Sequence, residues 1–294
     1  MLLHYALGGG LGHLVRARAF LHTLGLEGEA TLFTSSRFAG DSRVTGGLPL
    51  VRVPTSLDGD HEGLRAFLEA TLAQARATRL VVDAFPAGLL GELAGWAPPP
   101  GLVLWHVARL LRWDRYAADA SPRLPRFDAT FVVEELHDDH RRALEEASRE
   151  LRPLDLVDPP SPPPDPVEGR YDLVLHSGPD EETLDLVACA RELAAAGGRG
   201  ARVVLASPDR PAGLPDDVEW RDAFPATGLC AAADRIVAAA GFNAVRQTEP
   251  WREKRFLVPY PRRFDDPFAR AARARGPGSG VKSCIVSDNT RFHA

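Results

Sequence analysis

Leu2-Leu3-His4-Tyr5-Ala6-Leu7 runs directly into Gly8-Gly9-Gly10-Leu11-Gly12-His13-Leu14, and a helical pattern over residues 15–24 follows. An apolar β-like run, a glycine-crowded turn and a helix form the opening of an α/β unit. Glycine lets the backbone turn sharply and approach a ligand, and the N-terminus of the following helix favours an anion. A dinucleotide fingerprint would place its third glycine where His13 stands. No acid closes the second strand to hold a ribose, because Phe33-Thr34-Ser35-Ser36-Arg37 occupies that place. A Rossmann dehydrogenase is therefore disfavoured.

The same alternation extends along the chain. Strand-like runs at 30–34, 50–53, 80–82, 102–105 and 130–133 are interleaved with amphipathic stretches at 64–77 and 137–151. A second series has strand-like runs at 171–176, 201–206, 218–220, 235–238 and 256–259, with helical patterns at 181–196, 228–233, 243–251 and 267–275. Short apolar strands alternating with helices predict parallel sheets covered on both faces. Between the two series lies Asp158-Pro159-Pro160-Ser161-Pro162-Pro163-Pro164-Asp165-Pro166. Proline lacks the backbone donor of helices and sheets, so an extended connector is expected there. The expected organisation is a domain at 1–152, a linker at 153–169, a second domain at 170–277 and an atypical tail at 278–294. The fold class is α/β, two Rossmann-like domains facing each other across a cleft, with ligands at the carboxyl ends of the strands.

Composition narrows the function. The 294 residues carry 35 basic and 40 acidic side chains, a formal charge of −5. Net acidity argues against a general nucleic-acid binder. The 45% apolar and 26% charged content is that of a globular protein. No apolar run approaches the roughly 20 residues of a membrane span, and the start has neither a basic n-region nor an apolar h-region. A cytoplasmic protein is expected, with peripheral membrane contact left open. Cys189, Cys230 and Cys284 lie far apart without CxxC spacing, so neither a disulfide framework nor a zinc knuckle is indicated. Only two basic residues are lysine, Lys254 and Lys282, and the arginine excess reads as coding bias. Lys282 and Cys284 fall in the tail, whose composition differs from the rest and to which no function is assigned.

Gly8-Gly9-Gly10-x-Gly12-His13-x-x-Arg16 resembles the N-terminal loop of GT-B glycosyltransferases, particularly relatives of the transferase that makes the lipid-linked disaccharide of peptidoglycan. Ala232-Ala233-Asp234-Arg235-Ile236-Val237-Ala238-Ala239-Ala240-Gly241-Phe242-Asn243 is similar to a segment of that family that precedes a helix. Phe256-Leu257-Val258-Pro259-Tyr260-Pro261 resembles its next strand, with Asp265-Asp266 in the following loop. The resemblance implies a nucleotide-diphosphate sugar, most readily a UDP-sugar, held by the C-terminal domain, and an unidentified acceptor on the N-terminal domain. It implies no cofactor and no metal, because backbone amides and a helix dipole offset the leaving diphosphate.

On the donor side the resemblance implicates Ser177, Gly178, Phe224, Gly241, Phe242, Asn243, Gln247, Asp265 and Asp266. On the acceptor side it places Gly10 and Gly12 in the loop, with His13 as general base, since its ordinary pKa lies near neutrality. Asp83 and His106, polar residues after apolar runs, are further acceptor-side candidates. Two positions depart from the family: Gln247 stands for a ribose-binding glutamate, and Asp265-Asp266-Pro267 replaces an Asp-Gln pair. His137-Asp138-Asp139-His140 puts two histidines on one helix face, but acids at an exposed helix start are explained by the dipole, and no metal is assigned. The basic residues Arg252, Lys254, Arg255, Arg262 and Arg263 read as a solvated face. No Gly-x-Ser-x-Gly elbow or P-loop occurs. The alternatives are a nucleotide-sugar epimerase and a nonenzymatic nucleotide-sugar-binding protein of the same fold.

Overall fold

The computed structural model describes residues 1–275 except 121–122 and 199–201. The tail at 278–294, with Lys282 and Cys284, lies outside the described residues. Two compact units are present: unit 1 comprises Met1–Pro162 with Pro261–Asp266, and unit 2 comprises Pro163–Tyr260 with the chain from Pro267.

Unit 1 contains β1 (Leu2–Tyr5), α1 (Leu11–Thr23), β2 (Ala30–Thr34), α2 (Ser42–Thr45), β3 (Leu50–Arg52), α3 (His61–Gln74), β4 (Arg79–Asp83), β5 (Val103–Ala108), α4 (Trp113–Ala120), β6 (Ala129–Val132), α5 (Asp138–Ala147) and β7 (Leu151–Pro153). Its strands form a seven-stranded sheet in the order β3-β2-β1-β4-β5-β6-β7, every ladder parallel. Sheet residues Leu3, Tyr5, Phe33, Leu80, Val82 and Leu104 pack with Leu64, Leu68 and Leu72 of α3. Each such burial contributes about 1.5–3 kcal/mol, which explains why the apolar face of α3 docks there. Asp60 caps α3 by accepting from the Gly63 amide at 2.9 Å.

Unit 2 contains β8 (Tyr171–Leu175), α6 (Asp180–Ala196), β9 (Arg202–Ala206), β10 (Val218–Arg221), β11 (Arg235–Ala239), α7 (Phe242–Gln247), β12 (Arg255–Val258) and α8 (Pro267–Arg275). Its sheet has the parallel order β10-β9-β8-β11-β12. In both sheets the order reverses beside the first strand of the unit, the doubly wound arrangement expected from the sequence. Such a reversal leaves a crevice at the carboxyl ends of the strands. Among the described residues, no helix is long and apolar enough to cross a membrane.

Several local expectations are corrected. The helix expected over 137–151 stops at Ala147, and Leu151–Pro153 becomes the edge strand β7. An edge tolerates Pro153, which cannot donate to a ladder. The helix expected over 243–251 splits into α7 and a 3₁₀ segment, Glu249–Lys254, because Pro250 cannot continue the α-ladder. The helix expected over 228–233 is a 3₁₀ turn at Ala226–Leu229. Strand β5 runs through Ala108, beyond the expected end at 105. Helix α4 was not expected. The connector has no helix or strand between residues 154 and 170, yet Val167 is buried with Tyr171, Leu173 and Ile236.

Candidate functional site

The carboxyl ends of β1 and β4 lie side by side, with Tyr5 in register with Val82. The loop after β1 delivers α1, whose N-cap is Gly10 in an extended conformation. His13 and Arg16 follow at i and i+3 and so share the helix face turned toward Asp83, the last residue of β4. His13 Nδ1 lies 2.6 Å from Asp83 Oδ2. Arg16 Nε donates to Asp83 Oδ1 at 2.6 Å, and Arg16 Nη2 donates to Oδ2 at 2.6 Å. The Asp83 side chain is fully buried, Arg16 is 3% exposed, and His13 keeps 15% exposure.

Chemistry assigns the tautomer. Asp83 is ionised and can only accept, so the 2.6 Å contact requires a proton on His13 Nδ1. Neutral His13 then carries its lone pair on Nε2, the atom available as a base. Burial lowers the pKa of His13; the hydrogen bond and charge of Asp83 oppose this, and the charges of Arg16 and Arg109 add to it. Burial alone would raise the carboxyl pKa of Asp83, but Arg16 and His13 outweigh it and hold the group well below the usual carboxylate range. At neutral pH the pair is therefore an anionic aspartate and a neutral imidazole.

The surrounding backbone is shaped to this ring. Gly8 has φ +143°, and a Cβ there would sit 2.4 Å from the His13 ring, so only glycine fits. Ala84 directly after Asp83 has φ +64°, and the Phe85 amide donates back to the Asp83 carbonyl at 2.8 Å across it. A left-handed alanine costs about 1–2 kcal/mol, strain of the kind that persists where a site over-determines the backbone. The Phe85 ring lies 5.7 Å from the His13 ring and packs on Tyr116 and Phe264. Arg109, following β5, lies over Phe85 and pairs with Asp265.

The remaining candidates are placed as follows. Gly12 lies in the first turn of α1. His106 is fully buried inside β5, stacked on Phe127, with Nε2 3.4 Å from the Ala84 carbonyl. Asp265 and Asp266 belong to unit 1, where Asp266 lies 3.0 Å from His137 Nε2. His137 and His140 part company: His140 is buried and stacks on Trp113 at 4.5 Å.

In unit 2, Ser177 and Gly178 lie in the turn before α6, whose first turn holds Asp180, Glu181 and Glu182. His176 Nε2 contacts Glu182 at 3.1 Å, and a Cβ on Gly178 would meet that same nitrogen at 2.5 Å. Gly241 is the N-cap of α7, with open space where a Cβ would point and no acid in the first turn. Phe242 is buried, Asn243 follows it in the first turn, and Gln247 ends the helix. Phe224 precedes a cis proline after β10. The basic residues disperse to local partners: Lys254 donates to the Ala231 and Ala233 carbonyls, Arg255 to Val245, and Arg263 to Asp119.

Sequence reasoning did not assign roles to Arg16, Phe85 or Arg109. The i, i+3 spacing of His13 and Arg16 was the available signal for the first. An arginine ending the apolar run of β5 was the signal for Arg109.

No protein-family model and no curated protein sequence matches the chain. Solved structures do. The glycosyltransferase SsfS6 of Streptomyces sp. SF2575, complexed with thymidine diphosphate, superimposes with a TM-score of 0.60 at 16% identity, over 88% of this chain and 82% of that one. The glycosyltransferase SnogD of Streptomyces nogalater gives 0.56 at 16% identity, over 94% and 85%. The UDP-N-acetylglucosamine 2-epimerase of Rickettsia bellii gives 0.51 at 9% identity, over 85% and 76%. At such identities the likeness is one of fold, and the fold is that of the GT-B glycosyltransferases.

Proposed function

We propose that the chain is a glycosyltransferase that moves a sugar from a nucleoside-diphosphate donor to a hydroxyl acceptor, with His13 as general base. The observation that carries this reading is the His13–Asp83 pair at the carboxyl edge of the unit 1 sheet. His13 Nε2 takes the proton of the acceptor hydroxyl as its oxygen bonds to the anomeric carbon and the bond to the diphosphate breaks. The imidazolium so formed is stabilised by Asp83, which stays ionised throughout. The nucleoside diphosphate leaves with its charge set against the backbone N–H groups at Gly241, Phe242 and Asn243, at the start of α7, with no metal ion invoked.

Gln247 stands in for the ribose contact with an amide, a weaker partner than a carboxylate. Ser177 and Gly178 are the weaker part of the donor assignment, because the carboxylates of the first turn of α6 oppose a phosphate there. The sugar-contacting role of Asp265 and Asp266 would compete with their pairing to Arg109 and His137. The likeness to the R. bellii epimerase supports a second reading, in which the same fold rearranges a nucleotide sugar without an acceptor. The departures at Gln247 and at Asp265-Asp266 support a third, a nonenzymatic nucleotide-sugar-binding protein. A cytoplasmic setting, where nucleotide sugars are made, fits all three.

Thermal denaturation with UDP, TDP, ADP and GDP tests the donor side. A ligand at 100 times its Kd that binds only the folded state stabilises by about 2.7 kcal/mol, a rise of several degrees in Tm. UDP or TDP is expected to produce that rise. If none of the four moves the transition, the donor assignment fails.

A further inference from the structure

We infer that Arg16 is the positioning residue of the His13–Asp83 base: its guanidinium fork fixes both carboxylate oxygens, presents Oδ2 to the Nδ1–H of His13, and cancels the charge of Asp83. The inference rests on the assignment of His13 as the base, and it deepens that assignment by saying what sets the ring's protonation.

The geometry separates two kinds of contact. Arg16 Nη2 also lies 3.2 Å from His13 Nδ1. A guanidinium has no acceptor, and the Nδ1 that bonds Asp83 bears a proton, so this approach is not a hydrogen bond. Two donors converge on one oxygen: Asp83 Oδ2 receives His13 Nδ1–H and Arg16 Nη2–H, both at 2.6 Å. Oδ1 is held by Arg16 Nε. A carboxylate gripped at both oxygens cannot rotate about its own bond, so the direction of its remaining lone pair is fixed. The bidentate geometry is specific to arginine, since a lysine supplies the charge but not the planar fork.

Charge follows from the same contacts. A lone buried carboxylate beside a histidine would strongly favour the imidazolium. Here Arg16 compensates Asp83 before any proton arrives, and both are withdrawn from solvent. The charged and titratable groups facing His13 are Asp83 from β4, Arg16 from its own helix, Arg109 after β5 and His4 from β1, with Phe85 adding apolar surface. Burial disfavours the charged ring most, and the charges of Arg16 and Arg109 add to it against the pull of Asp83, so the ring is neutral and its Nε2 unprotonated at neutral pH.

Nitrogen-15 NMR of the ring, followed against pH in the protein without donor or acceptor, reads both effects. Wild type is expected to show the Nδ1–H tautomer and a protonation midpoint below 6.5. Arg16→Gln keeps hydrogen-bond donors but removes the charge, and is expected to raise the midpoint by about one pH unit or more, a tenfold change in proton affinity. Arg16→Lys is expected to recover at least half of that shift while losing part of the Nδ1–H population. An unchanged midpoint in Arg16→Gln, or an unchanged tautomer in Arg16→Lys, overturns the inference. If Arg16→Gln does not fold, the tautomer of Arg16→Lys decides alone. The readout needs no turnover. A shift seen in a protein without transferase activity sinks the transferase assignment and leaves Arg16 in place, and the converse result does the opposite.

Discussion

His13→Ala is expected to lower turnover roughly 10²–10⁴-fold, the usual contribution of a positioned general base, while nucleotide affinity stays within about twofold. The split follows from where the residue stands. His13 belongs to unit 1, whereas Gly241, Phe242 and Asn243, the proposed diphosphate contacts, belong to unit 2. The ring makes its hydrogen bond through Nδ1 to Asp83, which leaves Nε2 for the proposed proton transfer. Removing the ring leaves Asp83 paired with Arg16 by two bonds of 2.6 Å, so the carboxylate is not stranded and the unit should keep its structure. His13→Gln places an amide of similar reach there, which cannot take the proton, and should lose as much. Steady-state rates beside calorimetric nucleotide titration give both numbers. Undiminished turnover would remove His13 from the mechanism, and a parallel loss of nucleotide affinity would reassign it to binding.

Acid is expected to destabilise unit 1 steeply between pH 6.5 and about 4. His4 and His106 are fully buried, and burial lowers each pKa from 6.5 to about 4; burial lowers that of His140 to about 3, and that of His13 in the same direction. In this window the unfolded chain binds protons that the folded chain refuses. Stability therefore falls as pH falls, and the loss is complete only below the folded values. One pKa unit corresponds to about 1.4 kcal/mol, so each of these buried rings costs a few kcal/mol once the pH falls below its folded value, a sizeable share of a domain's stability. Glu92 acts in the opposite sense, since burial raises its pKa and its cost is relieved on acidification, but it is one group against four. Asp83 keeps its contribution until the pH falls through the ordinary carboxylate range and below. Urea denaturation at half-unit steps measures the slope. His140→Phe, which preserves the stacking on Trp113, should flatten it visibly. Constant stability from pH 6.5 to 4.5 would contradict the burial of these rings as neutral species.

Much of the architecture was legible in the sequence because parallel strands are continuous apolar runs. All five strands of unit 2 and six of the seven in unit 1 coincide with such runs. The seventh, Leu151–Pro153, is three residues long at an edge, too short to carry a period. Helix α4 was missed because its apolar members, Trp113 and Tyr116, are answered by partners distant in sequence, His140 and Phe264. The site was half legible. His13 and Asp83 stood out as a ring in a glycine turn and an acid ending an apolar strand. Their pairing spans 70 residues and depends on β1 lying beside β4, a matter of strand order that no local pattern encodes. The same holds for Arg109 and Asp265, which are 156 residues apart.

As proposed, the chain transfers sugar and His13 drives the step. Mass spectrometry of reactions with UDP- and TDP-sugars and a panel of hydroxyl-bearing acceptors tests it most directly, with His13→Ala alongside. The expected result is an acceptor heavier by one sugar residue, with nucleoside diphosphate released in equal amount, in wild type and not in the variant. An isomerised nucleotide sugar formed without any acceptor, or a donor that binds and returns unchanged with every acceptor, would contradict it.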